Sequence, residues 1–121
     1  MKTTPEQFEQ FKAEFGKYQC LFGLTDFRIV FIHEPVKDSY ADINIGDHIA
    51  TVRFTSEFDD GAKEGFDAAA HGRHEAIHLL LWRLYSMAGQ RHIMVHEIED
   101  EWESLVRRIE YAMDHVKEIE Q

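Results

Sequence analysis

The sequence predicts an α+β domain in the order αβββαα. Three observations carry that reading. Phe8, Phe11, Phe15 and Tyr18 recur at spacings of three and four near the start of the chain. The periodicity then changes to runs of β-branched and aromatic residues with alternation in twos. Over the last half the three-four spacing returns in two long stretches. Apolar residues at three-four spacing make one face of a helix, and alternation in twos makes one face of a strand.

Each element has its own signals. Thr4-Pro5 opens the first helix, with Thr as N-cap and Pro at the first helical position, where its missing N–H costs nothing. Gly23 follows its end. Phe27 to Glu34 reads as a strand that stops at Pro35, and Tyr40 to Ile45 as a second. Ile49 to Phe54 is a third. The short link through Gly46 and Asp47 predicts that the last two pair as an antiparallel hairpin in a three-stranded, mostly antiparallel sheet. Ser56 to Gly65 is polar and reads as a loop. A helix follows from about Phe66 to Met87, ending near Gly89. It is apolar on several sides, which predicts a central, mostly buried position. The last helix runs from about Val95 to Ile119, with Ile98, Trp102, Leu105, Ile109, Ala112, Val116 and Ile119 as its expected core stripe.

Composition bounds the function. The chain has 121 residues, 44% of them hydrophobic, which suits one globular domain spanning 1–121 rather than a disordered chain. The single cysteine, Cys20, cannot form an internal disulfide, so a reducing compartment is expected, with Cys20 as a small buried hydrophobe. No signal-peptide pattern is read at the N-terminus, and no apolar run approaches the ~20 residues of a membrane span. A soluble cytoplasmic protein is therefore expected. The net charge is −10, which argues against nucleic acid as a partner, because neutralising phosphates needs clustered Lys and Arg.

The chemistry sits in His74-Glu75-Ala76-Ile77-His78, an H-E-x-x-H pattern on a predicted helix. Histidines four apart lie one above the other, so both imidazoles reach one metal ion. Glu75 lies about 100° further round than His74. That suits a base acting on water better than a third ligand. Zinc lowers the pKa of a bound water towards ~7. A catalytic zinc takes three protein ligands. In the last helix Glu101 lies about 60° from Ile98, on the core side, and is the preferred third ligand. Glu97, about 100° away, is the other candidate. Most other acids of that helix belong to a solvated face.

The remaining histidines carry plainer readings. His33 is a partly buried strand residue and His48 sits beside a turn. His71, one turn before Glu75, is read as a surface residue, with a place supporting the metal site as the other reading, and His115 lies at the surface. Oxyanion help could come from Tyr85, Tyr111, His92 or His96, and the seven-residue step from His78 to Tyr85 places Tyr85 in the core.

The run His74 to Leu81, followed by an acidic helix holding Glu101 and Leu105-Val106-Arg107-Arg108-Ile109-Glu110, resembles the minimal zincin metallopeptidases. It is most similar to small phage- and prophage-encoded proteins of that kind, with a gluzincin-like Glu as third ligand. The resemblance spans almost the whole chain. It implies zinc at His74 and His78, Glu75 as general base, and a peptide or protein substrate lying along an exposed strand edge of the hairpin. The motif specifies an activated water more closely than a substrate. A zinc hydrolase acting on another amide or a phosphodiester stays open, as does a zinc-binding interaction module without turnover.

Overall fold

The computed structural model describes residues 2–58 and 66–120. Six elements follow in the order α1 (Pro5–Leu21), β1 (Arg28–Glu34), β2 (Ala41–Ile45), β3 (Ile49–Thr55), α2 (Ala68–Ala88) and α3 (Val95–Glu120). The chain is α+β in the αβββαα order that its periodicity predicts. Of the expected loop over 56–65, residues 59–65 lie outside the described residues.

Local chemistry starts the helices. The Thr4 side chain accepts from the Gln7 backbone N–H while the Gln7 side chain reaches back to the Thr4 N–H, a reciprocal cap. Gly23 follows α1 at φ 71°, a left-handed conformation that glycine adopts without a Cβ clash. Asp67 caps α2 by accepting from the Ala70 N–H at 3.2 Å.

The sheet order is β1-β3-β2, so β3 is central and β2 is an edge. β2 and β3 form the expected antiparallel hairpin, with Ile43 opposite Val52. β1 lies parallel to β3 along its whole length, from Arg28 opposite Ile49 to Glu34 opposite Thr55. The sheet is thus mixed and not mostly antiparallel. β2 takes one flank of β3 and leaves β1 the other, a pairing choice that alternation within a strand does not encode.

One face of the sheet is the floor of the core. Ala50, Val52 and Phe54 are fully buried there. α1 lies across this face, with Phe11 stacked on Phe54 and Phe15 edge-on to Phe31. His33 is partly buried, stacked between Phe8 and Phe54, with Nε2 2.6 Å from Thr3 Oγ1. On the opposite face Arg53 binds Asp42 through two guanidinium nitrogens and Glu34 at 3.3 Å, a charged row across all three strands. α2 packs on α1 and beside β2, and α3 leans on α1 and α2. Arg108 fastens α3 to the end of α1, its Nη1 donating to the carbonyls of Phe22 at 2.6 Å and Gly23 at 3.0 Å.

Three sequence expectations change here. Cys20 is exposed, because it lies about 140° round α1 from Phe15. α2 is buried on one side only: Ala76, Leu79 and Leu80 face the core while Ile77, Leu81 and Tyr85 are exposed. Trp102 is 65% exposed, because α3 is covered on one flank only. Among the described residues no helix is long and apolar enough to cross a membrane.

Candidate metal-binding site

The H-E-x-x-H segment lies in the first half of α2. His74 and His78 point outward, on the face opposite Ala76 and Leu79. Their Nε2 atoms are 3.2 Å apart and their rings stand nearly perpendicular, at 76°. Zn–N bonds of about 2.0–2.1 Å at tetrahedral angles put two ligating nitrogens roughly 3.4 Å apart. The pair therefore fits two positions of one zinc ion.

Glu75 lies to one side of the pair, about 60° round the helix from His78 and about 100° from His74. It is 5% exposed and lies on the flank of α2 nearest the sheet. Burial raises its pKa to about 7, and the negative charge of Asp42 on β2 adds to the effect. A carboxyl that exchanges its proton near neutrality is suited to general acid–base work. One turn earlier His71 is half-buried rather than at the surface, stacked on Phe66 and tilted against Tyr40. Burial lowers its pKa, and the neighbouring His74 lowers it further.

The sequence candidates for the third ligand lie elsewhere. Glu101 is largely buried, as its helical phase predicts, but its carboxylate faces Arg83 at 3.4 Å. With Glu97 it lines a cleft of about 630 Å³ bounded by Phe27, Trp82, Arg83 and Arg108. That cleft lies between α3 and the α2 flank that carries Leu80 and Met87. Leu80 is about 200° round the helix from His78, so α3 packs on the side away from the imidazoles. Among the described residues, no group of three or more His, Cys, Asp or Glu side chains is placed to hold a metal ion. The structure thus brings His74 and His78 together and does not bring Glu101 or Glu97 to them.

Tyr85 is 80% exposed and not a core residue. It falls about 20° from His74 in helical phase and so shares the outward face. Tyr111, His92 and His96 are exposed too, and His115 is stacked on Tyr111. Sequence reasoning did not find Asp42 and Arg83 as neighbours of the two glutamates. The alternation in β2 marks Asp42 as outward-facing, but only the docking of α2 beside β2 brings its charge to bear on Glu75.

No protein-family model, curated protein or solved structure matches this chain.

Proposed function

We propose that the chain is a zinc-dependent metallopeptidase. The observation that carries the reading is the 3.2 Å approach of two exposed imidazole nitrogens on one helix, next in sequence to a buried glutamate with a pKa near 7. His74 and His78 would hold the zinc, and when bound the ion supplies a water acidified towards neutral pH. Glu75 would take a proton from a water as its oxygen adds to the scissile carbonyl carbon, and would give that proton to the amine nitrogen as the C–N bond breaks. β2 is the terminal strand of the sheet among the described residues, and its outer edge would offer main-chain hydrogen bonds to an extended peptide. Completing a three-ligand site with Glu101 requires α3 to shift round α2 towards the imidazoles as well as the carboxylate to leave Arg83.

Two measurements test the reading in sequence. Metal analysis of the purified protein should give one zinc per chain, taken up again after chelation; lack of uptake ends the proposal. A peptide library should then be cut by the zinc protein and not by Glu75→Gln, which should keep its zinc. Turnover of another amide or a phosphodiester alone would keep the zinc hydrolase and discard the peptidase.

The engagement of Glu101 by Arg83 favours a second reading, a zinc-binding interaction module without turnover. X-ray absorption at the zinc edge separates the two. Three protein ligands plus water support the peptidase, and four protein ligands support the module.

A further inference from the structure

The outer side of the α2–α3 pair carries an apolar strip that no described element covers. Ile77, Leu81 and Tyr85 line it from α2, all exposed. From α3 come Trp102, Val106 and Met113, exposed at 65%, 39% and 74%. The helices run antiparallel, since Ile77 meets Ile109 and Met113 while Met87 shares the other cleft with Glu97. At one end the strip deepens into an almost wholly apolar groove of about 290 Å³, lined by Leu80, Ala112 and Val116 together with Tyr18 of α1 and Phe22 at its C-cap. Soluble monomers seldom leave a contiguous apolar patch of more than a few hundred Å² uncovered.

The charges along the strip say what covers it. Taking Leu105 as the inward direction, Trp102, Val106 and Met113 lie about 60–100° round α3. The next row, at about 120–160°, holds Glu99, Glu103 and Glu110, all exposed, with Lys117 at its far end and Arg107 beside Glu103 on the side away from the strip. The opposite rim, on α2, carries His74 and His78 and no Lys or Arg. The strip is therefore apolar, deepening to a groove only at the Ile109–Val116 end, and is bordered on its α3 side by acids. A second copy of the chain would bring another net −10 and another acidic row against the first. A cationic partner would find complementary charge.

We propose that the α2–α3 groove binds an amphipathic helix of a basic partner, with its apolar face in the groove and its Lys or Arg side chains along the Glu99–Glu103–Glu110 row. The span from Val95 to Met113 is about 27 Å, which accommodates a helix of five turns. Recognition of this kind reads apolar anchors at three-four spacing, and opposite charge raises the association rate. The proposal does not depend on metal or on turnover.

The probe is a synthetic helix of about five turns with leucine at three-four spacing and lysine elsewhere. It is compared with a scrambled peptide of equal composition and with a glutamate-for-lysine version. Binding is followed by amide chemical shifts of the labelled full chain, and self-association by sedimentation. The expected result is saturable one-to-one binding, at least tenfold tighter than for either control and weakened by salt, with shifts concentrated on Ile77, Leu81, Trp102 and Met113. Met113→Glu, at an exposed position, should abolish binding with an unchanged circular dichroism spectrum. The triple variant Glu99→Lys, Glu103→Lys, Glu110→Lys should weaken it at least tenfold. No binding, equal binding of the scrambled peptide, or equal binding of the acidic peptide overturns the proposal. So does a dimer at micromolar concentration that Met113→Glu dissociates, because the groove would then belong to a second copy.

Discussion

Gly72 of α2 lies against the backbone of Phe11 of α1, so closely that a Cβ on Gly72 would stand 2.3 Å from the Phe11 carbonyl oxygen and 3.1 Å from its carbonyl carbon. Glycine at this position lets the two helices touch main chain to main chain. This contact fixes how α2 lies across α1 and thereby which side of the motif helix is turned to solvent.

A methyl group at Gly72 should therefore be severe. Gly72→Ala meets backbone, which cannot swing aside, and should cost about 3 kcal/mol or more, at the upper end of overpacking effects. Gly16, in the middle of α1, has nothing within 4 Å of the equivalent position. Gly16→Ala should instead stabilise by about 0.5–1 kcal/mol through helix propensity. Urea denaturation of the two variants checks both signs.

Glu75 should make stability fall with rising pH across a defined window. Its pKa is about 7 in the folded chain against 4.5 ordinarily, so the folded state holds more protons than the unfolded state between those values. Stability contributed by the protonated carboxyl is fully present below about pH 4.5 and is lost as pH rises through about 7. Replacing the carboxyl with an amide removes the titration. In metal-free protein Glu75→Gln should gain stability over wild type as pH rises from 5 to 8, by an amount on the order of 3 kcal/mol at most. Paired denaturation curves at several pH values measure the difference, and a constant offset would contradict it.

Zinc should stabilise the folded chain through the histidine pair. At a free zinc concentration one hundred times Kd the expected gain is about 2.7 kcal/mol if the unfolded chain does not bind. His78→Ala should remove most of that gain while leaving metal-free stability nearly unchanged, because both imidazoles are exposed. Thermal unfolding with and without zinc reads both effects.

Arg108→Ala should loosen α3 selectively. The guanidinium donates to two carbonyls at the end of α1, and hydrogen bonds from a charged donor contribute about 1.5–3 kcal/mol when partly buried. The variant should lose about 2 kcal/mol and show faster amide exchange along α3 than in α1 or the sheet. Uniform acceleration over the whole chain would mean that α3 unfolds only together with the rest.

Much of the fold is legible residue by residue. Thr4-Pro5 and the Phe11–Phe15 spacing define α1, and the link through Gly46 defines the hairpin, because caps, turns and amphipathic periods are local properties. The direction of β1 is not local. It depends on which flank of β3 stays free after β2 has paired. The same division runs through the candidate site. The four-residue step between His74 and His78 brings their nitrogens together in any helix, whereas the position of Glu101 depends on the side from which α3 approaches.

The sequence by itself determined the element order, the Thr4 cap of α1, the pairing of the two imidazoles and the inward phase of Glu101. All of these follow from contacts within a few residues or from the pitch of one helix. Tertiary structure alone decided that Glu101 meets Arg83, that Glu75 is buried beside the sheet and that Tyr85 and Trp102 remain uncovered. A helical period says which residues share a face. What that face meets is set by how close packing, such as that of Gly72 on Phe11, orients one helix against the next.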